Sequence, residues 1–267
     1  MNAITCKFGG SSLADAECIR RAVDIVLADE DRRYIVPSAP GKRSPEDRKI
    51  TDVLYSWHHM IADGFDAAEP RAIVRERFRG LADELGVDIG LEAHLGEIES
   101  QARQQSTADY LASRGEYLNG LIFARLLDAT FVDPAECVRF DEAGEFDALT
   151  YRLLGEKLAG PGRYVIPGFY GAQPDGRIKT FSRGGSDITG SIVARAAGAR
   201  LYENWTDVSG FRMTDPRIVP EARHIAEVTY EELRELAYLG ASVLHDEAIY
   251  PVRELGIPIT ILNTREP

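Results

Sequence analysis

Each of two glycine pairs in this chain sits where an apolar run gives way to a helix-patterned stretch. Lys7-Phe8-Gly9-Gly10-Ser11-Ser12 closes the run Ala3–Phe8, and Ser182-Arg183-Gly184-Gly185-Ser186-Asp187 follows Ile178–Phe181. After the first pair, Ala14–Ala28 carries Ile19, Ala22, Val23, Val26 and Leu27 at helical spacing, and Arg33–Ser38 then reads as a second strand. Strand, helix and strand within the first 40 residues form a βαβ unit, which demands a largely parallel sheet. Glycine at a strand–helix junction lets backbone N–H groups approach an anion, and the helix N-terminus adds partial positive charge. Two such turns, one beside Lys7 and one beside Arg183, point to a site that grips a polyphosphate and transfers part of it. Neither turn matches the G-x-x-x-x-G-K-[ST] or G-x-G-x-x-G nucleotide fingerprints.

The remaining pattern alternates in the same way. Pro37–Lys49 is a polar loop long enough to contact a ligand, and Thr51–Leu127 reads as helix interrupted at Gly64–Pro70 and Gly86–Gly90. Further strands are expected at Thr130–Val132, Val138–Phe140, Tyr164–Phe169, Ile178–Phe181, Leu201–Trp205 and Ile257–Leu262. Pro174-Asp175-Gly176 predicts a hairpin flanked by Phe169 and Lys179. Helices are expected at Gly185–Ala199, at Thr229–Leu239 behind a Thr229/Glu232 capping box, and at His245–Leu255 before Gly256.

Composition excludes several classes of partner. Lys and Arg number 31 against 43 Asp and Glu, a net charge of −12, which argues against nucleic acid. An anionic ligand must therefore be met by local cations. Cys6, Cys18 and Cys137 show no paired spacing, so neither a disulfide framework nor a zinc site is expected, and a reducing cytoplasm fits. No apolar run approaches the ~18 residues of a membrane span, and no signal-peptide core opens the chain.

Individual residues then take candidate roles. Lys7, at the end of the first strand, can reach transferring phosphoryl oxygens as a point charge. Arg183 suits a carboxylate, and Asp187 can accept from an ammonium or orient Lys7, while Ser186 or Asp187 can also cap the following helix. Thr206 and Asp207 follow a strand at the position where α/β ligands sit, and Arg217 is placed to meet a phosphate. Glu116, within the helical block, reads from its residue type alone as a solvated surface glutamate. The five histidines show no metal-ligand spacing.

Taken in order, Lys7–Ser12, Ser113–Glu116, Gly168–Asp187, Trp205–Arg217 and Leu239–His245 resemble the aspartate kinase catalytic domain of the amino-acid-kinase superfamily, over almost the whole chain. The resemblance implies an α/β three-layer sandwich with a mostly parallel sheet of about eight strands and a helical substrate lobe. It implies one catalytic domain over 1–267, with a substrate-binding part at about 1–165 and a nucleotide-binding part at about 166–267. The implied reaction is phosphorylation of the L-aspartate side-chain carboxylate by ATP with Mg²⁺, the first step toward lysine, threonine and methionine.

By position, Lys7 and Asp187 would be catalytic. Ser38, Thr51, Glu116, Phe169, Arg183 and Ser186 would bind substrate, Glu116 at its ammonium and Arg183 at its α-carboxylate. Gly9, Gly10, Ser11, Thr206, Asp207, Arg212 and Arg217 would face the nucleotide. Ser242 stands where the family usually has lysine, Arg212 where it has tyrosine, and Ser209 where it has aspartate. Arg212 is a candidate to supply the charge missing at Ser242. A cytoplasmic homodimer is implied. The chain stops where two ACT domains usually begin, so no feedback inhibition by lysine or threonine is expected. A kinase of another small carboxylate or of carbamate, or a non-catalytic nucleotide- or amino-acid-binding subunit, stays open as an alternative.

Overall fold

The first strand, β1 (Ile4–Phe8), is buried along its whole length, and the polypeptide is wound around it. The structure, a computed structural model, describes residues 2–104, 107–182, 184–208, 210–212, 224–225, 228–238, 244 and 246–267. After the first glycine turn come α1 (Ala16–Leu27) and β2 (Arg32–Pro37), the expected βαβ unit. The helical block resolves into α2 (Ile50–Ala62), α3 (Ala68–Leu85), α4 (Leu91–Arg103) and α5 (Ala108–Leu126). There follow β3 (Thr130–Phe131), α6 (Leu149–Lys157), β4 (Tyr164–Val165) and the hairpin β5 (Tyr170–Ala172) with β6 (Ile178–Thr180). The chain continues through α7 (Gly185–Ala197), β7 (Leu201–Thr206), β8 (Phe211–Arg212), β9 (His224–Ile225), α8 (Tyr230–Tyr238), α9 (Tyr250–Arg253) and β10 (Ile259–Asn263).

Six strands form one parallel sheet in the order β10-β7-β1-β2-β4-β3. About eight were expected; among the described residues the other four pair off as two antiparallel ribbons, β5–β6 and β8–β9. Alternation along the strands feeds two cores. Ile4, Cys6, Phe8 and Ile35 pack with Ile19, Val26, Leu118 and Ile122 of α1 and α5, while Tyr34 and Val36 pack with Leu154, Ile192 and Val193 of α6 and α7. Helices on both faces of the sheet make the three layers, and α2–α5 extend one of them into a lobe.

Three expectations shift. Val138–Phe140 is not a strand: it makes single bridges only, because Thr150 Oγ1 takes the Arg139 N–H (2.8 Å) in place of a ladder partner. Tyr164–Phe169 shortens to β4 because Pro167 has no N–H to give and Phe169 turns to φ +83°. The stretch 246–255 opens as a 3₁₀ turn, Asp246–Ile249, before α9. Helix α6 was not anticipated. The capping box is present, with Thr229 N donating to Glu232 Oε2 (2.8 Å) and Glu232 N to Thr229 Oγ1 (3.2 Å). None of the described helices is long and apolar enough to cross a membrane.

Candidate active site

Connections leave β1 and β7 in opposite directions across the sheet, so the crevice beyond their C-terminal ends is the topological switch point of this fold. Both glycine turns open onto it. Lys7 and Asn204 are register partners on β1 and β7, and Asp187 lies in the first turn of α7. Lys7 Nζ stands 2.6 Å from Asp187 Oδ1 and donates to Asn204 Oδ1 (3.3 Å), while Asn204 Nδ2 donates to Asp187 Oδ1 (2.9 Å). Two motifs some 180 residues apart thus close into one three-membered cluster. Lys7 and Asn204 are buried, so the ammonium is aimed by fixed partners rather than by solvent. Both contacts to Asp187 end on Oδ1.

On the opposite face of the same two strands, buried Glu203 accepts from Arg32 Nε and Trp205 Nε1, both at 2.9 Å, and from Cys6 Sγ at 3.3 Å. This satisfied carboxylate pins β7, β1 and β2 together directly beneath the Lys7–Asn204 pair.

Gly9, Gly10 and Ser11 line the crevice mouth. Gly9 N donates to Trp205 O (3.0 Å), and Gly10–Leu13 forms a 3₁₀ turn. Ser11 is exposed, and the N–H groups opening that turn have no partner within it. The loop after β2 is packed on the turn: Gly41 N donates to Gly10 O (2.8 Å), and a Cβ on Gly41 would lie 2.5 Å from that oxygen. Buried Arg77 of α3 holds the loop from behind through Gly41 O (3.0 Å) and Asp47. Arg43 bonds the same carboxylate and drives it well below the usual range.

The lobe supplies the other wall. Ser38 N donates to Phe8 O (3.1 Å), and Ser38 O accepts from buried Asn119 of α5 (2.7 Å). Thr51 is half-buried in the first turn of α2. The reading of Glu116 as a solvated surface glutamate is overturned: it is 5% exposed, because Gly115 lets α5 press against Ala39, Ile50 and Leu54. Burial pushes its carboxyl up to about 8, opposed in part by the Ala39 N–H and by Arg114. Glu116 Oε2 has no hydrogen-bond partner, the signature of a group waiting for a donor.

Between these walls stands Phe169, its strained backbone held by Thr189 Oγ1 at its N–H (3.0 Å) and by Phe181 N at its carbonyl (2.9 Å). Ser186 packs on Gly168, where a Cβ would sit 2.5 Å from Ser186 Oγ. Thr206 and Asp207 close β7, with Thr206 Oγ1 donating to Asp207 Oδ1 (3.2 Å). Arg183, Arg217, Ser242, Ser209, His245 and the side chain of Arg212 lie outside the described residues. Asn204, Gly41 and Asn119 escaped the sequence reading. A buried asparagine inside an apolar strand was the available signal for the first.

A model of the amino acid kinase family matches residues 2–263. Aspartokinase 3 of Bacillus subtilis is 37% identical over 276 residues, spanning 98% of this chain and 61% of that protein. The crystal structure of Clostridium acetobutylicum aspartate kinase superposes with a TM-score of 0.95 at 46% identity, over 100% of this chain and 61% of that one. Escherichia coli aspartokinase III, solved in complex with aspartate and ADP, gives 0.86 at 30% identity, over 99% and 62%. The chain thus spans about three-fifths of the length of these relatives. With a family match over nearly its whole length, and with two glycine turns meeting across a parallel-sheet switch point, the chain belongs to the amino acid kinase family.

Proposed function

We propose that this chain transfers the γ-phosphoryl group of Mg-ATP to the side-chain carboxylate of L-aspartate, giving 4-phospho-L-aspartate and ADP. The observation that carries the reading is the Lys7–Asp187–Asn204 cluster at the glycine turn, together with a buried, half-unpartnered Glu116 beside Ala39, whose carbonyl neighbours Gly10 of that turn. Whole-chain similarity to aspartokinases supports it, as does the aspartate and ADP complex of the E. coli relative.

The acceptor carboxylate is already ionised at neutral pH, so no strong general base is needed. The obstacle is bringing two anions together in line. Lys7 meets it with a charge pre-aimed by Asp187 and Asn204, and the N–H groups of the Gly9–Ser11 turn add fixed dipoles. Glu116 takes the substrate ammonium. Arg183 takes the α-carboxylate, with Phe169, Ser186, Ser38 and Thr51 shaping the acceptor pocket. Thr206, Asp207, Arg212 and Arg217 hold the nucleotide. The acceptor side is built mainly from 1–165 and the nucleotide side from 166–267. Mg²⁺ bound with the nucleotide would supply charge neutralisation on its phosphates. Asp187 is the carboxylate of this cluster that fits it, since Lys7 and Asn204 both bond Oδ1.

The test is ADP release from Mg-ATP across a panel of small acids, with hydroxylamine present to trap an acyl phosphate. Aspartate-dependent release with hydroxamate formation is expected. Turnover with another acid in place of aspartate overturns the substrate, and ATP binding with no turnover on any acid overturns the reaction.

A further inference from the structure

Outside the crevice, one buried cation makes no ion pair among the described residues. Arg114 of α5 is 6% exposed, and its guanidinium lies against three tyrosine rings, 4.7 Å from Tyr110, 4.6 Å from Tyr117 and 5.1 Å from Tyr170. Its Nε and Nη2 both donate to Ser113 Oγ, at 3.1 and 2.9 Å, and that oxygen is itself tied to Tyr110 O (2.7 Å). Nη1 has no hydrogen-bond or ion-pair partner among the described residues. The tyrosine cage explains how the faces of the guanidinium are covered. The remaining Nη1 edge is not fully buried, so it opens to the space beside it and can pair with an anion there. Arg114 lines a cavity of about 460 Å³, a size suited to a small ligand.

The rest of the cavity wall says what kind of ligand would pair with it. Asp133 is held rigid, its Oδ1 accepting from Tyr170 OH and Ala135 N, both at 2.9 Å. Glu97 of α4 lines the same space and makes no hydrogen bond or ion pair among the described residues. Asp175 is matched by Arg177 at 2.5 Å. His94 Nδ1 and Tyr117 OH, 3.2 Å apart, stiffen one side. A multiply charged anion would be repelled by Glu97 and Asp133. A ligand carrying both signs would not.

We propose that this cavity is a second ligand site, separate from the crevice, for a free α-amino acid or a zwitterion of that size. The ligand carboxylate takes the open edge of Arg114, and its ammonium faces Glu97 and Asp133. Glu116 does not line this cavity, and residues two apart on a helix face different ways, although the Arg114 charge still reaches the Glu116 carboxylate.

The experiment titrates the Glu116→Gln chain, which lacks the carboxylate assigned above to the substrate ammonium, with each of the twenty proteinogenic L-α-amino acids by calorimetry or saturation-transfer NMR. At least one is expected to bind saturably. Its affinity should fall about tenfold or more when Arg114→Gln is added, the worth of one charge-assisted contact. The matching amino-acid amide, lacking the carboxylate, should bind weaker by a similar factor. Gln101→Trp fills the cavity mouth without touching the tyrosine cage and should also abolish binding. If Arg114→Gln does not fold, Gln101→Trp and the amide decide. No binding by any of the twenty, binding unchanged by Gln101→Trp, or equal affinity for acid and amide would each overturn the proposal.

Discussion

Glu116 makes the proposed substrate site readable by a proton count. Its carboxyl titrates near 8 instead of the ordinary 4.5, because burial penalises the charged form. At pH 7 the empty site is therefore about nine-tenths neutral. Pairing with a substrate ammonium requires the carboxylate, so aspartate binding at pH 7 should expel nearly one proton. Apparent affinity then follows the ionised fraction, and Kd should fall about ninefold from pH 6 to 7 and about fivefold from 7 to 8. Stability moves the other way. The folded-state value lies above the unfolded one, so the stabilising contribution is complete below about 4.5 and is lost as pH rises to about 8. In full that displacement is worth roughly 5 kcal/mol. Glu116→Gln, neutral at every pH, should lose both dependences and be the more stable ligand-free chain at pH 8. Calorimetry of aspartate binding in buffers of different ionisation enthalpy measures the proton directly. A pH-independent Kd with no proton released, or the same pH dependence in Glu116→Gln, would refute the reasoning.

Lys7→Ala should lower kcat by about 10²–10³-fold while moving the KM of either substrate little, as loss of a charge acting in the transition state does; near-normal turnover in the ADP-release assay would remove Lys7 from that role. Asn204→Leu removes both bonds that aim the Lys7–Asp187 pair, and should cost about 1–3 kcal/mol in denaturant unfolding along with a fall in kcat. Full activity in a folded Asn204→Leu chain would count against the positioning argument. A Cβ at Gly41 meets the Gly10 backbone, so Gly41→Ala should raise the KM for ATP, whereas Gly80→Ala, with nothing within 4 Å, should not; equal effects would show the contact to be irrelevant. Glu203→Ala removes the buried carboxylate that pairs half-buried Arg32 and should destabilise the chain by about 2–4 kcal/mol, read from the urea midpoint; a shift within error would mean the network carries no stability.

The parts of this molecule that were legible in sequence are those where local pattern and tertiary role agree. The βαβ opening, the Pro174-Asp175-Gly176 hairpin and the Thr229/Glu232 box each follow from a few neighbouring residues, and each is present. The segment 138–140 differs from its strand-like pattern because Thr150 Oγ1, eleven residues on, takes the Arg139 N–H that a ladder partner would need, which no local pattern reveals. Helix α6 escaped because Gly155 interrupts its apolar spacing.

Strand β7 shows why the site was only half legible. Its sequence Leu-Tyr-Glu-Asn-Trp-Thr places two polar residues in the centre of a buried strand, where strand alternation sends them to opposite faces. Glu203 goes to the side of Cys6, Trp205 and Arg32, where its hydrogen bonds are filled by the fold. Asn204 goes to the side of Lys7 and Asp187, where its two bonds serve the crevice. Residue type alone cannot separate a polar side chain that cements the sheet from one that aims a charge; only the neighbouring strand can, through the Cys6–Glu203 and Lys7–Asn204 register. The same distinction governs Glu116, which by residue type alone is indistinguishable from the solvated Glu76 of α3 and Glu92 of α4. What sets it apart is Gly115, whose missing side chain brings α5 onto Ala39 and takes the carboxylate out of water.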